Sequence, residues 1–228
     1  MLKRTFNILF GFLLIPFCIG FTWQFGATVF GIRYRAHLPY YFVGGSLTYL
    51  TAHVLFRKPI LTYVFGHELT HALFAVLFGG SVKSFHASDR GGRVTITKSN
   101  FVITLAPYFF PLYTFGALML YTAAVMAGLQ GAVSWLVFIT GGTFAFHLML
   151  TTLFLQTEQD DIREYGTIFS LTLIYLFNVV FSALLVRLLL AENMEFPVFL
   201  GGGIMKSVKL IILVANKTYT IFRNTLFS

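Results

Sequence analysis

The sequence predicts an all-α polytopic membrane protein with about six transmembrane helices and one small β-hairpin. Of its 228 residues, 57% are hydrophobic and only 11% are charged, whereas a soluble domain carries about 25% charged residues. The hydrophobic residues form long runs that suit membrane-spanning helices. The basic residues are scattered between these runs. That pattern favours contact with the lipid bilayer and argues against a nucleic-acid partner.

The predicted spans follow one another along the whole chain. We place them at 6–30, 38–56, 60–79, 101–126, 131–155 and 167–190. The first follows Lys3-Arg4 and is too long for a signal peptide, so we expect it to stay uncleaved. The tail, 191–228, spaces basic residues among aliphatic ones, which fits either an interfacial amphipathic helix or a seventh span. We expect an integral, multi-pass protein of a bacterial inner membrane.

Two local features interrupt the apolar pattern. Residues 81–100 alternate apolar and polar side chains, and the arms 82–87 and 93–97 flank Asp89-Arg-Gly-Gly92. This predicts a β-hairpin at the membrane surface, which either connects two spans or pairs its edge with an extended peptide. His86 lies on this hairpin, and we expect it at the surface.

The fourth span contains two prolines, Pro107 and Pro111, four residues apart. Proline removes a helical hydrogen bond and clashes with the preceding turn, so we predict a kinked or loosened helix. The kink either serves helix packing, or it loosens one wall of the site so that a substrate can enter.

The sequence His67-Glu68-Leu69-Thr70-His71 lies inside the third span. Residues four apart share a helix face, so both imidazoles can reach one metal ion. Glu68 points about 100° around the helix, beside the metal. There it can take a proton from a metal-bound water. The alternative is that the two histidines merely hydrogen-bond between helices.

A catalytic zinc site needs three protein ligands and an open position, so a third ligand must come from elsewhere. The residues that qualify are Glu158, Asp160, Asp161, Glu164 and His147. A carboxylate is favoured because it neutralises a buried cation. The alternatives are that Asp160 or Asp161 caps the sixth span and that His147 bonds to a neighbouring helix.

These motifs together resemble the site-2 protease family of intramembrane zinc metallopeptidases (peptidase family M50). HELTH in a transmembrane span, a β-hairpin and an acidic motif two spans later carry the resemblance, which covers about 60–166. It implies that His67 and His71 bind zinc and that Glu68 is the catalytic base. In place of the family's usual Asn-Pro-Asp-Gly or Leu-Asp-Gly, the distal motif here is Gln-Asp-Asp-Ile, 159–162. Some members of the family have a looser Ser-Asp-Leu form, and matching its apolar residue after the ligand selects Asp161, with Asp160 as second choice.

Several expectations follow from this resemblance. Gln159 stands where the family often has an asparagine that holds the substrate or the oxyanion. Asp161 lies beyond the fifth span, so it meets the histidines only if 156–166 folds back. We divide the chain into two accessory helices (1–59), a metallopeptidase core (60–166), and a last span with a basic amphipathic tail (167–228).

The predicted function is hydrolysis of a peptide bond in or near a transmembrane segment of a membrane-protein substrate, with one Zn²⁺ per chain. One alternative is an inactive pseudoprotease that binds membrane proteins without cutting them. The other is a metal transporter that uses the histidine and aspartate side chains as a transit site.

Overall fold

The computed structural model describes residues 2–157 and 159–226, which form nine α-helices and one β-hairpin. The helices are α1 Leu2–Gly31, α2 Leu38–Leu55, α3 Ile60–Leu77, α4 Phe101–Phe109, α5 Leu112–Met126, α6 Gln130–Leu155, α7 Asp160–Tyr165, α8 Thr167–Leu185 and α9 Phe196–Leu226. A π-helical turn, Val186–Leu190, continues α8. The strands are β1 Val82–Ser88 and β2 Gly91–Ile96.

The chain forms two compact units. One consists of Met1–Tyr34 and Tyr165–Ser228, and the other of Arg35–Glu164. Helix α2, which the sequence groups with α1, lies in the same unit as the HELTH helix. This second unit contains helices α2 to α6 and the hairpin.

Five helices in the described chain are long and apolar enough to cross a membrane, and the bent pair α4–α5 brings the number to six. This supports a multi-pass membrane protein, but it corrects the predicted set of spans. The predicted span 38–56 contains helix α2, which is not among the apolar spans because it carries tyrosines, glycines and a histidine. The tail forms the long helix α9, which qualifies as a span.

In the first unit, α1 packs along α8 and α9. The rings of Phe21 and Phe199 meet edge to face at 5.8 Å, and Gly20 lets α1 approach the backbone of Ser207. Towards its C-terminal end, α9 exposes apolar side chains such as Ile212 and Phe222. An apolar surface of this kind suits contact with lipid.

In the second unit, α2 and α6 make close backbone contact through small residues. Gly45 lies against the carbonyl group of Phe138, and Gly141 lies against that of Phe42. The Ser46 hydroxyl donates a hydrogen bond to the Gly141 carbonyl oxygen at 3.0 Å. These small residues of α2 therefore anchor α6, which ends just before the acidic segment.

The fourth predicted span is broken. Helices α4 and α5 meet at an angle of 70°. Asn100 starts α4, because its side-chain oxygen accepts a hydrogen bond from the Ile103 backbone N–H at 3.0 Å. Pro111, which has no N–H, precedes the first residue of α5. The predicted loosening is confirmed, and it amounts to a break between two helices.

The β-hairpin is confirmed. Strands β1 and β2 are antiparallel, and Ser88 pairs with Gly91 around the turn at Asp89 and Arg90. The predicted turn is therefore too long, because Gly91 and Gly92 belong to β2. Gly91 has a φ of +136°, which glycine adopts without strain. The hairpin packs on α3, where the rings of Phe85 and Phe65 meet at 5.6 Å.

Candidate metal centre

The Nε2 atoms of the two histidines in α3 point toward the same position. His67 and His71 lie one helical turn apart, and their Nε2 atoms are 3.2 Å apart. The Nδ1 atom of His71 lies 2.9 Å from the carbonyl oxygen of Ile103. A carbonyl oxygen only accepts hydrogen bonds, so this Nδ1 carries the proton. The Nε2 of a neutral His71 therefore presents a lone pair to the centre of the site, as a metal ligand requires.

Asp161 closes the third side of the site. Its Oδ2 atom lies 3.4 Å from the Nε2 of His67 and 3.5 Å from that of His71. Asp161 lies in the first turn of α7, so the segment after α6 does fold back onto α3, as the sequence required. Among the histidine, cysteine and acidic residues that the structure describes, these three form the group that is close enough to hold a metal ion.

The spacing of the three atoms fits a tetrahedral zinc site. Bonds of about 2.0–2.1 Å in tetrahedral geometry place neighbouring ligand atoms about 3.3–3.4 Å apart. The pairwise distances here are 3.2, 3.4 and 3.5 Å. Three electron-rich atoms this close repel one another unless a proton or a cation lies between them. Two imidazoles and a carboxylate are also a ligand set that zinc accepts.

The carboxyl group of Asp161 is partly buried. Burial alone would raise its pKa, but hydrogen bonding and positive charge from His67 and His71 outweigh that effect and hold the pKa well below its usual value. Asp161 is therefore a carboxylate near neutral pH. A bound cation would replace the imidazole proton as its partner.

Glu68 lies beside this group rather than in it. Glu68 is only 8% exposed, and its carboxylate lies against strand β2. Gly92 lies directly over it, since a Cβ atom added there would be 2.5 Å from the Glu68 Cγ. The hairpin therefore covers the predicted catalytic base.

One open cleft reaches all of these side chains. It has a volume of about 690 Å³, within the range of small-molecule and peptide sites. One wall is strand β2, from Gly92 to Ile96, and another is the acidic segment that includes Gln159 and Asp161. His67, Glu68 and His71 also line it. The three grouped side chains and Glu68 therefore share one open cleft.

The remaining predicted residues lie outside the three-ligand group. Asp160 and Glu164 line the cleft but are exposed, and neither aspartate caps α8, whose N-cap residue is Gly166. His147 is buried in α6 and lines a small cavity that also touches His67. His86 is exposed on β1, as predicted. Glu158 lies outside the described residues.

Tyr108 is a site residue that the sequence reasoning missed. It is fully buried in α4, and its hydroxyl lies 3.0 Å from Asp161 Oδ2 and 3.3 Å from Gln159 Oε1. Its ring meets that of His67 edge to face at 5.1 Å. The available signal was a hydroxyl-bearing residue between Pro107 and Pro111 in an apolar run. It is weak, because tyrosine is common in this chain.

Comparison with protein-family models, with curated proteins and with solved structures finds no match for this chain.

Proposed function

We propose that this protein is an intramembrane zinc metalloendopeptidase that cuts a peptide bond in or near a transmembrane segment of another membrane protein. The observation that carries the proposal is the three-sided group of His67, His71 and Asp161, with Glu68 next to it on one accessible cleft. Two histidines and one carboxylate as ligands, with a nearby glutamate that is not a ligand, form the arrangement used for metal-assisted peptide hydrolysis.

The chain supplies the metal ligands and keeps one side of the site accessible. His67, His71 and Asp161 would hold the zinc, and His71 is oriented by the Ile103 carbonyl oxygen. When bound, zinc polarises a carbonyl group and lowers the pKa of a water molecule to about 7. The fourth coordination position would open on the cleft that the three residues line.

Glu68 is the group best placed to move a proton in this cleft. It follows His67 in the chain, lies at the cleft wall and belongs to no ion pair in the described structure. A carboxylate in this place accepts a proton from the attacking water and passes it to the nitrogen of the leaving amine.

Strand β2 is well placed to bind the substrate backbone. A transmembrane segment must be partly unwound before cleavage, because helical carbonyl groups are already hydrogen-bonded. An extended peptide can pair with a strand edge through main-chain hydrogen bonds. The β2 residues Gly92 to Ile96 line the cleft beside the metal ligands, so a peptide held there lies next to Glu68.

The first test is the metal content of the purified protein in detergent, by elemental mass spectrometry. We expect about one zinc per chain in the wild type, loss of zinc in His71→Ala and Asp161→Ala, and retention in Asp160→Ala. Asp160 is exposed and adjacent in sequence, so it is a matched control. Circular dichroism and gel filtration check that each variant is folded.

The second test is cleavage of fluorescently labelled β-casein, an unfolded protein, by wild type and by Glu68→Gln. We expect cleavage by the wild type, inhibition by a chelator, and no cleavage by a Glu68→Gln variant that still contains zinc. A folded wild type without zinc would contradict the proposal. Zinc without any cleavage would favour a binding protein instead.

A further inference from the structure

Tyr108 is a buried residue whose side chain makes a polar contact with the metal-ligand group. Its hydroxyl is 3.0 Å from the Oδ2 atom of Asp161, the same oxygen that faces His67 and His71. A carboxylate oxygen accepts more than one hydrogen bond or metal bond. The Tyr108 hydroxyl therefore donates to Oδ2 while the opposite side of that oxygen stays directed at the histidines.

Asp161 depends on such a contact for its orientation. It lies on α7, a helix of six residues that follows the irregular connection after α6. A short helix at the end of a loop restrains its side chains less than a long packed helix does. Gln159, two residues earlier, also lies within hydrogen-bond distance of Tyr108, at 3.3 Å. Tyr108 thus contacts the acidic segment at two points.

Helix α4 buries Tyr108 together with its neighbours from Ile103 to Phe109. It packs on α3, starts at the Asn100 cap and ends immediately before the break at Phe110 and Pro111. The same helix provides the Ile103 carbonyl oxygen that orients His71. Two of the three predicted ligands are therefore oriented by groups on α4.

We propose that Tyr108 is a positioning residue that fixes Asp161 Oδ2 toward His67 and His71, and so sets the affinity and coordination geometry of the metal. The inference rests on the metal site of the proposed function but not on peptide cleavage. Hydrogen-bond partners of metal ligands, when removed, typically cost 10- to 100-fold in metal affinity.

The test is metal titration of the chelator-stripped, full-length protein in detergent, comparing wild type with Tyr108→Phe. Phenylalanine keeps the ring against His67 and removes only the hydroxyl. The matched control is Tyr113→Phe, whose hydroxyl donates to the Thr62 carbonyl oxygen at 2.6 Å, in the same broken span. We expect the Kd for zinc to rise about 10- to 100-fold in Tyr108→Phe, and to stay within about twofold of wild type in Tyr113→Phe.

Cobalt(II) gives a second readout that does not depend on activity. We expect its visible absorption bands to differ between wild type and Tyr108→Phe, because a freely rotating carboxylate changes the coordination geometry. In an Asp161→Ala background, which offers no oxygen to the Tyr108 hydroxyl, we expect Tyr108→Phe to leave the remaining weak metal affinity unchanged. A purely structural role would weaken binding equally in both backgrounds.

The outcomes separate this inference from the proposed function. Zinc affinity and a cobalt spectrum unchanged in Tyr108→Phe would overturn the role of Tyr108 and leave the metal site standing. A wild type that binds neither metal would overturn both. The expected change in Tyr108→Phe together with no cleavage of β-casein would support the role of Tyr108 and contradict the peptidase.

Discussion

The contact between α2 and α6 allows a sharp test, because two neighbouring glycines differ in what surrounds them. A Cβ atom at Gly45 would lie 2.7 Å from the carbonyl carbon of Phe138 and 3.1 Å from the backbone nitrogen of Gly142. At Gly44, the nearest atom would be 3.6 Å away, on the Phe138 ring. Gly44→Ala is therefore a matched control for Gly45→Ala.

The expected difference follows from these distances. Both variants gain up to about 1 kcal/mol of helix propensity, so this gain cancels in the comparison. In Gly45→Ala, the methyl group would overlap the carbonyl group of Phe138, whose oxygen is the nearest atom. The obstacle is backbone, so α2 and α6 must separate, and overpacking of this kind costs about 1–3 kcal/mol. For a chain of this size, that lowers the Tm by about 2–12 °C.

The measurement is thermal unfolding of both variants in the same detergent, followed by circular dichroism. We expect Gly44→Ala to melt at or slightly above the wild-type Tm, and Gly45→Ala to melt about 2–12 °C below Gly44→Ala. Equal melting temperatures would refute the close approach of α2 and α6. A lower Tm for Gly44→Ala than for Gly45→Ala would refute the assignment of which glycine faces α6.

Three further predictions concern the site. Gly92→Val places side-chain atoms against the Glu68 Cγ, so we expect β-casein cleavage to fall at least tenfold while zinc content stays at the wild-type level. Asn100→Ala removes the cap of α4 at a cost of about 0.5–2 kcal/mol, which should lower the Tm by about 1–8 °C in a melting experiment. Zinc at about 100 times its Kd stabilises the folded state by about 2.7 kcal/mol. Chelation should therefore lower the wild-type Tm by about 5–11 °C, and it should leave the Tm of Asp161→Ala unchanged.

Features that depend on local spacing could be predicted from the sequence. The approach of His67 and His71 follows from helix geometry alone, because residues four apart share a face. The hairpin follows from alternation around a turn of Asp, Arg and Gly. The two prolines likewise mark the break between α4 and α5.

Features that depend on distant contacts could not be predicted in the same way. Asp161 stood among several acidic residues, and it was selected by resemblance to a family rather than by chemistry. The role of Tyr108 requires the path of α4 past α7, which no local pattern encodes. The run 38–56 is long enough to span a membrane, but its tyrosines, glycines and histidine lower its hydropathy below that of the five apolar helices.

The weak apolarity of α2 has a consequence for how the protein is made. A ribosome completes α2 before it reaches the HELTH helix, the hairpin and α6. Partition into lipid alone favours α2 less than the five apolar helices, and its small-residue face finds its partner only when α6 has been synthesised. Asp161 follows α6 in the chain, so the third predicted ligand emerges just after this pairing becomes available. Insertion of α2 and assembly of the group of His67, His71 and Asp161 would then occur together, late in biogenesis.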